Sequence, residues 1–349
     1  MSKHFNDRFL RACRRERVDA TPIWLMRQAG RYLPEYRELR QKHSMLELCT
    51  NPELAVRVTL MPLKRFDLDA AILFSDLTIP FLAMGVLFTL KENLGPVITH
   101  PLRTAEDIYA LRVMEPNNDL PFVAESIRML RQELKVPLIG FAGAPFTLAA
   151  YLVEGGPSRD YSHVRALMYS QPELWNSLLS VLAENVVCFL KAQIEAGAQA
   201  VQLFDSWVGV VSPVVYRRHI LPVMQRIVSE LKPLGAPIIY FGTGTASLLE
   251  AMRETGADVI GVDWRVPLDE AWRRIGDCAI QGNLDPAVMM ASSDTVCAEA
   301  RDVLRRAGGR AGHIFNLGHG VLPGTPVENV QVLIDTVHLD GKARVEPSG

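Results

Sequence analysis

The sequence predicts a parallel (β/α)8 barrel of the TIM type, and three observations support this prediction. Eight short apolar runs recur along the 349 residues, and all but the first close on Gly, Asp or Ser. The runs are apolar on both sides, as strands buried on both faces of a parallel sheet are. Helix-like segments separate the runs. Eight strands alternating with helices are typical of a (β/α)8 barrel, with a doubly wound open sheet as the second candidate.

The eight predicted strands follow one another without a linker, a repeat or a low-complexity tract between them. They are PIWLM (22–26), AAILFSD (70–76), PLIGFAG (137–143), AQAVQLFDS (198–206), APIIYFGTG (236–244), ADVIGVD (257–263), CAIQGNLD (278–285) and HIFNLGHG (313–320). We therefore expect a single domain over residues 1–349, with a core of about 5–340.

Start and stop signals mark several of the helices. Asn51, followed directly by a proline, predicts the N-terminus of one helix. The patterns T-x-x-D at Thr104 and T-x-x-E at Thr325 begin two more, and we expect a capping box in the second. Two further amphipathic stretches stop at Gly197 and Gly256, because glycine is the usual helix terminator.

Composition excludes several classes of function. The formal net charge of −2 argues against a general nucleic-acid binder, which would be basic overall. The five cysteines are scattered without C-x-x-C spacing, which indicates reduced thiols in a cytosolic protein and gives no zinc signature.

No membrane segment or secretory signal is expected either. The N-terminal residues contain no apolar core segment. The longest apolar stretch, 137–153, includes two glycines and two prolines, so it is interpreted as a buried strand that runs into a loop rather than as a membrane helix. These features predict a cytoplasmic protein with neither membrane nor nucleic acid as a partner.

The first 42 residues carry an unusual excess of cations. They hold nine arginines and two lysines against two aspartates and three glutamates, a net charge of +6. In a nearly neutral chain, such a block indicates an anionic ligand bound at one place. Arg27 and Arg31 directly follow the first predicted strand, and arginine is the residue that binds carboxylates in a bidentate manner.

The barrel prediction also locates the active site, because catalytic residues of such barrels lie at the C-terminal ends of the strands. The residues at those ends are Arg27, Arg31, Asp76, Gly143, Asp205, Ser206, Gly242, Gly244, Asp263, Asn283, Asp285, Asn316 and His319. We expect polar side chains from this set to converge on one cavity.

Two of these residues are candidates for chemistry on their own. Asp76 could bind a metal, accept N–H bonds or stabilise a cation, and no nearby His or Cys favours the metal. His319 lies between two glycines, a context that favours a side chain facing the cavity. No Ser-His-Asp order or nucleophile-elbow motif indicates a hydrolase. GTGTAS at 242–247 lacks the features of a nucleotide-binding loop.

Together these segments resemble the uroporphyrinogen decarboxylase family. PIWLMRQAGRYLPEYR (22–37) and GFAGAPFTLAAYLVEGG (140–156) are similar to its two signatures. DAAILFSD, VQLFDSWVG, GVDW, QGNLDP and HIFNLGHGVLP match further blocks in the same order. The resemblance covers about residues 5–340. It implies a homodimeric single-domain (β/α)8 barrel that removes CO2 from the four acetate side chains of uroporphyrinogen III, giving coproporphyrinogen III without a cofactor or metal.

The resemblance also implies roles for individual residues. Those expected to contact substrate are Arg27, Gln28, Ala29, Gly30, Arg31, Asp76, Tyr151, Ser206 and His319. Those expected to take part in catalysis are Asp76, Arg27, Tyr151 and His319. Asp76 would accept hydrogen bonds from the pyrrole N–H groups. Arg27, His319 and a relayed water are the alternative proton donors.

Three other functions remain as alternatives at this stage. A zinc- and corrinoid-dependent methyltransferase of the same barrel superfamily would be expected to show a His/Cys zinc site, and no H-x-C motif is present. A non-catalytic tetrapyrrole carrier would use the same cationic cleft without turnover. An RNA-binding role for the basic N-terminal block lacks the expected interleaved aromatic residues.

Overall fold

The computed structural model describes residues 5–91 and 94–342, and a parallel sheet lies at its centre. The strands are β1 Ala71–Ile72, β2 Phe88–Lys91, β3 Gly95–Ile98, β4 Leu138–Gly143, β5 Ala200–Asp205, β6 Ile238–Gly242, β7 Val259–Gly261, β8 Ala279–Gln281 and β9 His313–Ile314. Seven of them form one sheet in the order β1-β4-β5-β6-β7-β8-β9, and every neighbouring pair is parallel.

The segment at 22–25 joins the two edges of this sheet. Ile23 forms a parallel bridge with Phe315, and the Phe315 N–H donates to the carbonyl of Pro22 at 2.8 Å. On the other edge, the Asp69 N–H donates to the Ile23 carbonyl at 2.9 Å. The Ile23 N–H donates to the Asp69 carboxylate at 2.8 Å instead of to a strand. The first predicted strand is thus paired through isolated hydrogen bonds rather than a regular ladder, but it is the eighth strand that closes the barrel.

The predicted (β/α)8 barrel is therefore confirmed, and the alternative of a doubly wound open sheet is wrong. An open sheet would leave the N–H and C=O groups of two edge strands unpaired. Here Asp69, just before β1, and Phe315, just after β9, both bond to the segment at 22–25, so the sheet closes on itself.

Helices surround the barrel. They are α1 Arg8–Cys13, α2 Pro34–Lys42, α3 Met45–Thr50, α4 Pro52–Arg65, α5 Pro80–Ala83, α6 Ala105–Tyr109, α7 Pro116–Asp119, α8 Pro121–Glu133, α9 Pro145–Glu154, α10 Ser162–Ser170, α11 Pro172–Ala196, α12 Pro213–His219, α13 Leu221–Leu231, α14 Leu249–Arg253, α15 Leu268–Ile275, α16 Ser293–Ala307 and α17 Val327–Asp340. Short 3-10 turns occupy Val208–Val210, Lys232–Leu234 and Pro286–Met290.

The helix signals are mostly confirmed. The Asn51 side chain caps α4 by accepting from the Leu54 N–H at 3.2 Å. α11 ends at Gly197, whose φ of +119° lies in the left-handed region. α14 stops earlier than predicted, at Arg253.

Of the two threonine patterns, the one at Thr104 forms a capping box and the one at Thr325 does not. Thr104 and Asp107 form a complete capping box, with both reciprocal bonds present. The capping box predicted at Thr325 is wrong, because α17 begins two residues later, after Pro326, and no side chain caps it. Proline fixes the backbone just before the helix, so Thr325 lies too far out to reach the first turn.

Apolar side chains fill the barrel interior. Trp24, Ile139, Ile239 and Ile314 belong to one buried cluster inside the strands. A larger cluster lies between the strands and the helices. The interior is thus a packed core, as is usual for this architecture, and a ligand must bind at one end of the barrel.

Two segments differ from the sequence-based expectation. β2 and β3 form an antiparallel hairpin that was not predicted. The segment after Gly143 is helix α9 rather than a loop, and Pro145 at its first position is the signal for it.

Helix α11 is long and apolar enough to span a membrane by length and composition. Most of that window is buried inside the protein. Such burial is typical of a core helix.

Candidate active site

A cavity of about 670 Å³ opens at the C-terminal ends of the strands. It is lined by residues from six segments: the loop after the segment at 22–25, the end of β1, the β2–β3 hairpin, α9, the end of β5 and the loop after β9. The predicted residues that line it are Arg27, Ala29, Gly30, Arg31, Asp76, Tyr151, Ser206 and His319. The expected convergence of strand-end residues therefore occurs.

Other strand-end residues instead bond to neighbouring loops. Buried Asp263 accepts from the Gly244 N–H at 2.6 Å and from the Arg265 N–H at 3.0 Å. The amide nitrogen of Asn283 donates to the carbonyls of Asp263 and Val266. Gly143, Asp205, Gly242, Gly244, Asp285 and Asn316 also lie outside the cavity lining.

The backbone at Arg27 is held in an unusual conformation. Its φ of +60° is left-handed, a region that non-glycine residues occupy at a cost. Two glycines make room for this arginine. A Cβ on Gly30 would lie 2.8 Å from the Arg27 carbonyl oxygen, and a Cβ on Gly320 would lie 2.4 Å from the Arg27 Cδ. The Arg27 side chain is thus directed along the cavity wall by its neighbours.

Cations dominate the charge of the cavity. Arg27, Arg31, Arg40 and Lys91 line it, and among the described residues Asp76 is the one carboxylate of the lining. Arg37, by contrast, donates to the carbonyls of Arg31 and Tyr32. The site is therefore suited to a ligand with several negative charges.

Asp76 is fixed by the residue two positions later. The Thr78 N–H donates to Asp76 Oδ1 at 2.9 Å, and the Thr78 hydroxyl donates to the same oxygen at 2.6 Å. This turn orients the carboxylate at the end of β1. A carboxylate oriented before a ligand arrives can stabilise positive charge without reorganising.

Aromatic rings form the wall opposite this loop. Tyr151 meets Trp207 edge-on with ring centres 6.0 Å apart, and Tyr161 stacks on Trp207 at 5.3 Å. Burial, followed by the negative charge of Asp76, raises the pKa of Tyr151 to about 12. Its hydroxyl therefore stays protonated at neutral pH and can donate a hydrogen bond.

His319 is held as a neutral imidazole. Its Nδ1 accepts from the Gly320 N–H at 2.7 Å, which leaves the proton on Nε2. Burial, followed by the charges of Arg27 and Arg265, lowers the pKa of His319 to about 4. At neutral pH this side chain offers one N–H donor to the cavity.

Phenylalanines form the apolar floor. Phe141 and Phe204 meet edge-on at 5.5 Å, and Phe204 and Phe241 do so at 6.1 Å. All three line the cavity. The cavity thus combines an apolar floor with charged walls.

Gln28 is the predicted site residue that the structure places elsewhere. Its side chain is buried beneath the cavity, where it accepts from the Leu25 N–H at 3.0 Å and donates to the Ala70 carbonyl at 3.2 Å. The Tyr32 hydroxyl bonds to its carbonyl at 2.8 Å. Gln28 therefore supports the loop that carries Arg27 and Arg31, and its side chain does not reach the cavity.

Several lining residues were missed by the sequence analysis. Arg40 could have been found from the N-terminal excess of arginines. Lys91 lies on the unpredicted hairpin, whose half-buried alternation in FTLK was its only signal. Trp207 directly follows Ser206 in VQLFDSWVG, a block in which only the serine was predicted to contact substrate.

Among residues 5–91 and 94–342, no group of three or more His, Cys, Asp or Glu side chains comes together in a way that could hold a metal ion. A second cavity, of about 220 Å³, lies near Cys13 and Cys278 at the opposite end of the barrel. None of the predicted site residues lines it.

Comparison with known proteins bears on this site. A family model described as uroporphyrinogen decarboxylase (URO-D) matches residues 4–339. A uroporphyrinogen decarboxylase from Sorangium cellulosum is 55% identical, with 98% of each chain covered. One from Carboxydothermus hydrogenoformans is 52% identical over 95% of this chain and 96% of that protein. One from Thermus thermophilus is 51% identical over 95% and 97%.

Solved structures add the fold. A methyltransferase from Methanosarcina mazei superposes with a TM-score of 0.77 at 24% identity, covering 94% of this chain and 96% of that one. At this identity the likeness concerns architecture alone. The family match and the three relatives extend over nearly the whole barrel, and on that basis the chain belongs to the uroporphyrinogen decarboxylase family.

Proposed function

We propose that this chain removes CO2 from the four acetate side chains of uroporphyrinogen III and releases coproporphyrinogen III. The observation that carries the proposal is a cavity that, among the described residues, is lined by four cations and by one carboxylate, which Thr78 orients. Relatives 51–55% identical carry the name of this enzyme. The zinc- and corrinoid-dependent alternative is not favoured by these comparisons.

The cations recognise the substrate. Uroporphyrinogen III carries eight carboxylates, and guanidinium groups bind carboxylates through two parallel N–H bonds. Arg27 and Arg31 lie on one side of the cavity, and Lys91 lies on the hairpin. The apolar tetrapyrrole ring would pack on the phenylalanine floor between them.

Asp76 stabilises the charge that develops during the reaction. Loss of CO2 leaves an electron pair behind, and a pyrrole ring protonated on carbon can accept it. The C–CO2 bond breaks, its electrons neutralise the ring cation, and a second proton converts the resulting methylene into a methyl group as the ring carbon loses its proton. Asp76, near the ring N–H groups, would act as the fixed counter-charge to that cation.

We propose Arg27 as the proton donor, directly or through a water. His319 is a neutral imidazole at neutral pH because its pKa is lowered to about 4, so it holds no extra proton to give. We assign to its Nε2–H a hydrogen bond to a substrate carboxylate. Tyr151 and Ser206 supply further hydroxyl donors on the opposite wall.

The family resemblance also suggests an oligomeric state, a cellular location and a cofactor requirement. We propose a homodimer with facing clefts that works in the cytoplasm and uses neither metal nor organic cofactor. Light scattering of the purified protein tests the dimer. A mass of one chain at micromolar concentration would contradict it.

The activity is tested by anaerobic incubation with uroporphyrinogen III and EDTA, with nothing else added. Products are separated by their number of carboxylates. Intermediates with seven, six and five carboxylates that lead to coproporphyrinogen are expected. Binding without conversion would indicate a carrier, and neither binding nor conversion would contradict the proposed function.

A further inference from the structure

A buried carboxylate lies behind the aromatic wall. Asp205 ends β5 with 0% of its surface exposed, and the cavity-lining Ser206 and Trp207 follow it directly. Asp205 itself does not line the cavity. Burial of a carboxylate is costly unless hydrogen bonds hold it, so its partners are informative.

Two neutral hydroxyl groups hold this carboxylate. The Thr147 hydroxyl donates to Asp205 Oδ1 at 2.7 Å, and the Tyr240 hydroxyl donates to Oδ2 at 2.7 Å. The Tyr216 hydroxyl donates in turn to Tyr240 at 3.0 Å. Within the part of the chain that the structure describes, no Lys, Arg or His forms an ion pair with Asp205. Burial raises the pKa of Asp205 to about 6, so the group is mostly ionised at pH 7.

Thr147 passes this interaction on to the wall. Its single hydroxyl hydrogen is directed to Asp205. A lone pair of Oγ1 is therefore left to accept the backbone N–H of Trp207 at 3.2 Å. A hydroxyl without that acceptor is free to rotate and to present its hydrogen to the Trp207 N–H instead. Asp205 thus determines the orientation of the hydroxyl that holds Trp207.

The same threonine connects Asp205 to Tyr151. Thr147 and Tyr151 both belong to α9 and are four residues apart, so their side chains lie on the same face of the helix. Tyr151 contacts Trp207, and Tyr161 stacks on the same indole. All three rings line the cavity.

We propose that Asp205 is a positioning residue of this site, which acts through Thr147 to fix the turn of Ser206 and Trp207 against the helix turn that carries Tyr151. This inference rests on the proposed function for its kinetic readout. It does not depend on that function for its structural readout.

The test uses Thr147→Val, which keeps the shape of the side chain and removes the hydroxyl. Trp207 then loses its acceptor, and we expect kcat/KM for uroporphyrinogen III to fall by about tenfold or more, as small displacements within a site do. The aromatic near-UV circular dichroism of the free protein should change with it. Thr147→Ser restores the hydroxyl and should recover both. Asp205→Asn, which keeps the size but not the two acceptor positions, should change both in the direction of Thr147→Val.

Thr336→Val is the matched control. Thr336 is a buried threonine of α17 that does not line the cavity, and its hydroxyl donates to the Val332 carbonyl at 2.8 Å. This variant should alter thermal stability without altering kcat/KM or the aromatic spectrum.

Unchanged kcat/KM together with an unchanged aromatic spectrum in Thr147→Val would overturn the inference. A loss that Thr147→Ser does not recover would also overturn it. Should Thr147→Val fail to fold, the same two measurements on Asp205→Asn decide. Absence of turnover in the unmodified protein contradicts the proposed function, and in that case the spectra alone decide whether Asp205 orders the wall.

Discussion

Strand β1 has an aspartate just outside each end, and the surroundings of the two carboxylates differ. Asp69, before the strand, is buried and accepts from Asn6, Arg8 and the Ile23 N–H at 2.7–2.9 Å, with His338 Nε2 at 2.8 Å. Asp76, after the strand, is half-buried and bonds to Thr78 alone among the described residues.

The difference separates the two ends of the barrel by task. The donors around Asp69 come from the N-terminal segment, the segment at 22–25 and α17. This carboxylate therefore links the segments that meet where the barrel closes. The cations near Asp76 line the cavity with it. At one end a carboxylate is bonded to donors from several segments of the protein, and at the other end a carboxylate and several cations line one cavity.

The largest expected effect is on stability, from Asp69→Ala. Loss of this carboxylate leaves Arg8 and the Ile23 N–H without their partner and should lower the free energy of unfolding by about 3 kcal/mol. Urea unfolding measures the change, and kcat of the folded fraction should stay near the wild-type value. Asp340→Ala, which breaks an exposed pair with Arg301, is the control and should change little. An equally small change in Asp69→Ala would contradict the role of Asp69 in closing the barrel.

Asp76→Asn should show the opposite pattern. The amide oxygen can still accept from Thr78, so the melting temperature should hardly move. The counter-charge to the ring cation is lost, and kcat should fall by about 10²–10³-fold, as on removal of one stabilising group from an active site. Anaerobic turnover and a thermal melt check both parts. Turnover near the wild-type rate would remove Asp76 from the mechanism.

Arg31→Ala should act mainly on substrate binding. Removal of one carboxylate-binding cation is expected to raise KM by about tenfold, equivalent to one charge-assisted hydrogen bond. Arg57→Ala, on the exposed face of α4, removes the same charge away from the cavity and should leave KM unchanged. Equal KM values for the two variants would exclude Arg31 from the site.

The smallest expected effect is on the pH dependence of stability. The pKa of His319 lies at about 4 in the folded protein, against an ordinary value of 6.5, because of burial and the nearby arginines. Between these values the unfolded chain binds a proton that the folded one does not, so the free energy of unfolding falls as pH falls. His319→Gln should make that fall shallower. An unchanged slope would mean that the pKa of His319 is the same in the folded and unfolded chains.

His313 extends this comparison to the other side of the barrel. It is fully buried, and burial lowers its pKa to about 4 as well. The contribution of His313 to the fall in the free energy of unfolding at low pH should therefore remain in the His319→Gln variant. The slope that remains in His319→Gln therefore includes the contribution of His313.

The sequence predicted the barrel because each strand is an apolar run with its own boundary signals. It also predicted the cavity-lining residues that directly follow strands or belong to the family signatures. It did not predict the hairpin that carries Lys91, since four residues that alternate between half-buried and exposed give a weak pattern. The placement of Gln28 could not be foreseen either, because a side chain in a tight loop can turn to either side, and only the packing around Leu25 and Ala70 decides.

The left-handed backbone of Arg27 has a consequence for engineering this protein. Glycine occupies such a conformation without strain, whereas other residues pay about 1–2 kcal/mol. Arg27→Gly should therefore relieve strain in the backbone while it removes a cation from the cavity. A search for stabilising substitutions would select Arg27→Gly, and this substitution should lower the activity.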